Sequence, residues 1–163
     1  MNESKRIAHQ LACTISGEAW YGDSLEDILS DVNAKQAATH PVPGAHSIWE
    51  LLSHLTAWVE FALGALDGTP IPEWPGMPVE LDWPPIIDTS DAAWKLAVDL
   101  FFTDHSRLIE RIEAFTDEQL EEAVPGRNYN FYRLFQGTIQ HAIYHAGQIA
   151  LLKKATLLKT LGP

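Results

Sequence analysis

Two histidines near the end of the chain have the spacing of a metal-binding pair. His141 and His145 lie four residues apart in the apolar run FYRLFQGTIQHAIYHAGQIALLKKA, with no helix breaker between them. Side chains at positions i and i+4 of an α-helix lie one above the other on one face, so both imidazoles can reach a single ion. Hydrogen bonding inside a core explains an isolated pair of this kind equally well.

A metal site needs a third ligand, because a divalent transition metal is usually held by three or more protein groups. His54 is the best candidate, since it lies among apolar residues in the run SIWELLSHLTAWVEFALGAL, where an imidazole needs a polar partner. Steps of three and four residues relate the histidines of both runs to apolar neighbours, which is the seam pattern of a helix bundle. We therefore predict a three-histidine site of His54, His141 and His145.

The composition of this set indicates which metals suit it. Three neutral imidazoles with open coordination positions favour zinc or nickel, and they are also compatible with cobalt, copper or ferrous iron. A structural zinc site is normally closed by a fourth protein ligand, so we expect the open position to take water or a substrate atom. His105, between Phe101 and Leu108 on an apolar stripe, is either a fourth ligand or a hydrogen-bonded core histidine.

One acidic residue and several pocket residues are predicted to lie near the three histidines. Glu50 stands one turn before His54, as a hydrogen-bond acceptor for a metal-bound histidine or as a general base. Its place in a helix-capping box with Ser47 explains it equally well. We predict that the pocket around the metal is formed by Trp20, Tyr21, Trp58, Gly137 and Gln148.

Each pocket residue also has a simpler explanation. Gly137, one turn before His141, leaves room for a ligand or for a closely packed helix, at a cost of about 1 kcal/mol relative to alanine. Gln148 binds a metal-bound water or a substrate, or else forms a hydrogen bond between helices. The tryptophans and tyrosines either line the pocket or pack in the core, as most of the six tryptophans are expected to do.

Whole-chain properties limit the class of protein. The 163 residues suit one domain covering residues 1–163, and Cys13, the single cysteine, excludes an intrachain disulfide. We see no signal peptide and no apolar stretch long enough to span a membrane, so we expect a cytoplasmic protein. The net charge of -11 argues against binding to nucleic acid or to anionic membranes.

Apolar residues recur with the period of a helix almost throughout, so the predicted fold is all-α. We predict four long helices at about residues 3–18, 46–66, 90–115 and 132–159, the last ending before Gly162-Pro163, with short helices after Ser24 and Thr116. Residues 67–89 contain six of the ten prolines and are predicted to form a long crossover between the second and third long helices. Trp74 and Trp83 are expected to attach this crossover to the bundle.

Three stretches carry a resemblance to a known family. With WYGDSLEDIL, GAHSIWELLSHLTAW and GRNYNFYRLFQGTIQHAIYHAGQIALLKK, the chain resembles the DinB/YfiT-like family of metal-binding four-helix bundles. The resemblance implies a divalent metal held by one histidine of the second helix and an HxxxH pair of the fourth, which here are His54, His141 and His145. It also implies an up-down-down-up helix order, frequent homodimers and, in members that are enzymes, thiol-dependent transfer or isomerisation.

Two functional hypotheses follow. The first is a metal-dependent enzyme acting on a small molecule, either a transferase that uses a low-molecular-weight thiol as cosubstrate or a hydrolase. The second is a noncatalytic, stress-related metal- or ligand-binding bundle that forms a dimer. It is motivated by the absence of a recognisable catalytic dyad or phosphate loop.

Overall fold

The computed structural model describes residues 2–73 and 76–160, and the side chains of these residues except 158–160. The predicted roles of Trp74 and Gly162-Pro163 therefore lie outside the described residues. The described part is helical and contains no strand. Its helices are Glu3–Ser16 (α1), Leu25–Leu29 (α2), Ala34–Ala38 (α3), Ile48–Leu66 (α4), Val79–Asp82 (α5), Asp91–Glu113 (α6), Asp117–Leu120 (α7) and Phe131–Thr160 (α8).

The four long helices pack in a closed cycle. α1 contacts α6, α6 contacts α4, α4 contacts α8, and α8 returns to α1. Each contributes apolar side chains to one core cluster, including Leu11, Leu52, Phe101 and Phe135, which are buried. The all-α prediction is confirmed, and the two helices that carry the three histidines of the predicted site are neighbours. Among the described residues, no helix combines the length and apolar character needed to cross a bilayer.

Side-chain caps fix where several helices begin. Ser47 starts α4, because its hydroxyl accepts a hydrogen bond from the backbone N–H of Glu50 while the Glu50 carboxylate accepts from the backbone N–H of Ser47. The same reciprocal pairing begins α2 at Ser24 and α7 at Thr116. It also begins α3 at Asn33, a helix that we did not predict. These caps satisfy backbone N–H groups that have no partner within the helix.

Part of the connection between α4 and α6 contacts the segment that precedes α8. Ile71, which is 3% exposed, joins the core, and its backbone N–H donates to the carbonyl of Pro125. The Arg127 guanidinium donates to the carbonyl of Pro72. Further along, the one-turn helix α5 ends at Asp82, and Trp83 follows it. Asp82 and Trp83 of this connection contact His54 of α4.

Replacing Ser47 with alanine tests the cap that begins α4. We expect Ser47→Ala to lower the free energy of unfolding by about 1 kcal/mol, because the N–H of Glu50 loses its acceptor. Urea denaturation of metal-free protein measures this change. Ser53→Ala, in the middle of the same helix, is the matched control and should be nearly neutral. Equal losses in the two variants would contradict the role of the cap.

Candidate metal centre

Three imidazole rings from two neighbouring helices converge at one point. His54 extends from the middle of α4, and His141 and His145 extend from successive turns of α8. The Nε2 atom of His141 lies 2.9 Å from Nε2 of His54 and 3.0 Å from Nε2 of His145. One ligand atom from each ring lies within 4.8 Å of the other two. The three histidines predicted from the sequence pattern therefore do lie close together.

Hydrogen bonds on the outer side of two rings determine which nitrogen carries the proton. The backbone carbonyl of Asp82 lies 2.6 Å from Nδ1 of His54, and the side-chain oxygen of Gln148 lies 2.6 Å from Nδ1 of His145. An oxygen of either kind only accepts, so both Nδ1 atoms must be protonated. In a neutral imidazole the other nitrogen then carries a lone pair. Both lone pairs face Nε2 of His141.

A divalent cation can satisfy these three nitrogens better than hydrogen bonds among the rings can. His141 can donate one proton from Nε2, so it can satisfy only one of the two lone pairs that face it. A metal ion about 2.0–2.1 Å from each nitrogen would accept all three lone pairs at once. The separations of 2.9 and 3.0 Å from Nε2 of His141 are short enough for such an ion. The donor set and its geometry therefore fit a divalent metal site.

The histidines are also held in the neutral form that ligation requires. Burial, followed by the proximity of His145 and His54, lowers the pKa of His141 to about 3 from an ordinary 6.5. Burial likewise lowers the pKa of His54, although its hydrogen bond to Asp82 opposes the change. Burial lowers the pKa of His145, opposed by the bond to Gln148. At neutral pH all three rings are therefore neutral, which is the form that can bind a metal.

Comparison with protein families gives an independent result. The family model described as the DinB superfamily matches residues 19–149, which is more than half of the chain. The chain belongs to the DinB superfamily. No curated protein and no solved structure matched it.

The helix connection completes the surroundings of the site in this DinB protein. The Trp83 ring stacks on His54 with 3.9 Å between centroids and on His46 with 3.6 Å. The Asp82 carboxylate accepts a hydrogen bond of 2.8 Å from the Trp58 indole and lies 3.2 Å from Nδ1 of His54. Sequence analysis assigned Asp82 no role. The sequence did offer one signal for a role of Asp82, its position next to Trp83 in the predicted crossover.

The remaining predicted residues fall into two groups. Trp58 lies 5.8 Å from His141 between ring centroids, Gln148 contacts His145, and Gly137 lines a cavity beside His141. In contrast, Trp20 is 101% exposed and Tyr21 is 42% exposed, and neither lines the two cavities that border the histidines. The structure therefore brings the first group to the site and not the second.

Glu50 and His105 both form hydrogen bonds away from the three converging histidines. The Glu50 carboxylate caps α4 and lies 2.9 Å from Nε2 of His40 and 3.5 Å from Nδ1 of His46. It is not part of the group of converging ligand atoms. His105 is fully buried and bonded to its own helix, and it lies outside that group too.

Two cavities border this centre on either side of His141. One, of about 330 Å³, is lined by His54, His141, Asp82, Arg127, Tyr129 and Trp58. The other, of about 280 Å³, lies among α4, α6 and α8 and shares Trp58, Tyr129 and His141 with the first. The former is called the metal-side cavity below, and the latter the inner cavity.

The lowered pKa values predict how the stability of metal-free protein depends on pH. A histidine whose pKa falls on folding binds more protons in the unfolded chain than in the folded one. Its contribution to the free energy of unfolding is therefore complete above about pH 6.5 and declines as the pH falls. For His141 the decline is about 1 kcal/mol per pH unit. Denaturation of wild type and His141→Gln in chelator, from about pH 7.5 to about pH 5, should give a shallower profile for the variant. Parallel profiles would contradict this assignment.

Proposed function

We propose that this DinB protein is a metal-dependent transferase whose metal is held by His54, His141 and His145, and whose cosubstrate is a low-molecular-weight thiol. The observation that carries the proposal is the convergence of three Nε2 atoms, two of which are fixed as acceptors by Asp82 and Gln148. A bound zinc or nickel ion would supply Lewis acidity and favour the thiolate form of the thiol.

The metal-side cavity supports a thiol that carries an acidic group. The half-buried Arg127 lines it, and no ion pair of this guanidinium occurs within residues 2–73 and 76–160. Its Nε atom is buried and, within the same ranges, has no hydrogen-bond partner. An arginine of this kind suits a carboxylate. The phenol of Tyr129, on the same wall, can donate a hydrogen bond to the reacting molecule.

Thiol transfer fits the available side chains better than hydrolysis does. Hydrolysis needs a base that can take a proton from water, whereas a thiolate is already a nucleophile. Among the described residues, Asp82 is the only carboxylate that lines the metal-side cavity, and it already contacts the indole of Trp58 and the ring of His54. Glu50 is held by its cap and by His40. The wall of the cavity thus offers no free base.

We also propose the following wider properties. Residues 1–163 form one domain and the protein is a cytoplasmic homodimer, the dimer being supported by Tyr144 and Leu151, which lie two turns apart on α8 and are 65% and 69% exposed. The formal charge of -11 supports a small molecule rather than nucleic acid as the ligand.

Metal content tests the ligand set directly. Protein purified without metal-affinity steps should contain one ion per chain by elemental analysis. His54→Ala and His145→Ala should weaken metal binding by at least about 100-fold, because loss of outer hydrogen bonds alone costs about 10- to 100-fold. His9→Ala, which removes an exposed imidazole on α1, is the control. Retention of the ion in the first two variants would contradict the site.

Turnover tests the reaction. With metal-loaded protein, cysteine and a chloronitrobenzene, a C–S bond should form as chloride leaves and the thiol proton passes to solvent. We expect His141→Ala to abolish this turnover. Arg127→Ala should raise KM for cysteine about tenfold or more, corresponding to loss of about 1.4 kcal/mol. The KM for cysteamine, which lacks the carboxylate, should change little.

Two outcomes would defeat the catalytic proposal. Full activity in His141→Ala would show that the reaction does not use this centre. A protein that binds its metal and gains thermal stability from it, yet turns over no thiol, would be a noncatalytic metal-binding bundle.

A further inference from the structure

The inner cavity has the walls of a binding site for a small apolar molecule. Leu55 and Val59 of α4 face Leu134 and Ala142 of α8 across it, and His105 of α6 lines it as well. Its volume of about 280 Å³ is close to the lower end, about 300 Å³, of the range for small-molecule pockets. The cavity reaches His141 but lies on the α6 side of the bundle. Tyr129, Thr138 and Arg133 also line it, but most of the wall is apolar, so the lining favours a small molecule that is largely apolar.

His105 adds one unsatisfied polar atom to this apolar wall. Its Nδ1 lies 2.8 Å from the carbonyl of Phe101, one turn earlier in α6, so Nδ1 carries the proton and Nε2 is an acceptor. The residue is 0% exposed, and Nε2 has no partner among residues 2–73 and 76–160. Burial lowers the pKa of His105 to about 4, so the ring stays neutral. A buried acceptor without a donor costs about 1–3 kcal/mol.

Gly137 keeps one side of the inner cavity open. A Cβ atom built at Gly137 would meet no atom within 4 Å; the residue is exposed, lies in the second turn of α8 and lines the cavity. Glycine lowers the stability of a helix by about 1 kcal/mol relative to alanine. The space left by the missing side chain gives this cost a functional reason. It also provides a way to fill the cavity without a clash.

We infer that the inner cavity binds a small molecule with an aromatic or branched aliphatic body and one N–H or O–H group, which donates a hydrogen bond to Nε2 of His105. This molecule is the acceptor substrate of the transferase. That role rests on the proposed function, whereas the binding itself does not. Since the wall covers Nε2, the ligand must displace wall atoms to reach it. His105 is therefore a specificity residue that favours ligands able to donate.

Filling the cavity tests where such a molecule binds. Indole serves as the probe, and its affinity for the full chain is measured by calorimetry in both metal-free and metal-loaded protein. We expect Gly137→Leu to weaken indole binding at least tenfold. Gly147→Leu is the matched control, because Gly147 is also in α8, has the same free space around its Cβ and lies outside the inner cavity. Equal affinities in the two variants would overturn the inference.

The donor requirement is tested with a pair of probes. Indene has nearly the shape of indole but no N–H group, and it should bind about tenfold more weakly. That difference should vanish in His105→Phe. In wild-type protein, the nitrogen-15 resonance of His105 Nε2 should shift with indole and not with indene, which keeps the test valid even if the variant does not fold. Equal binding of the two probes, or an unmoved resonance, would overturn the inference.

The failures of the two proposals are distinguishable. Indole binding that depends on Gly137 and His105, in a protein without thiol turnover, would retain the inner site and refute the transferase. Thiol turnover in a protein that does not bind indole would retain the transferase and refute the inner site.

Discussion

The convergence of three imidazole nitrogens is the constraint around which the rest of the site is built. Without a cation, two lone pairs, on His54 and His145, compete for the one proton that Nε2 of His141 can donate. Burial also disfavours protonation of the rings, since it lowers the pKa of all three histidines. The fold therefore supports an arrangement that is unfavourable in itself and becomes favourable when a positive ion lies at its centre.

Hydrogen bonds on the outer side of two rings fix their orientation, one formed within α8 and one formed with the connection between α4 and α6. On α8, Gln148 follows His145 by three residues and fixes its proton locally. For His54 the partner is Asp82, which is distant in sequence and arrives through the connection between α4 and α6. The Trp83 ring then stacks on the rings of both His54 and His46. The connection thus supplies both the acceptor that sets the tautomer and the apolar cover that excludes water.

The sequence predicted those parts of the structure that are periodic. The seam spacing identified four long helices to within two residues, and it identified the three histidines, because burial repeats with the helical period. Asp82 ends the one-turn helix α5, and Trp83 and Arg127 lie in irregular segments, so their positions depend on tertiary contacts that no helical period reveals. Trp20 was predicted to line the pocket, but it is fully exposed. α3 was missed although Asn33 and Gln36 have the spacing of a capping box.

His141 divides the space around the centre into two chemically different regions. Both cavities are lined by Tyr129 and by an arginine. Among the described residues, the metal-side cavity adds the carboxylate of Asp82, whereas the inner cavity adds the aliphatic side chains of Leu55, Val59, Leu134 and Ala142. A polar cosubstrate and an apolar acceptor would therefore approach the same ring from opposite environments. Holding two reactants beside one centre converts their encounter into a reaction within a complex. In the proposed transferase no catalytic dyad would be needed, because the cavity walls would select the reactants and the ion would activate the thiol.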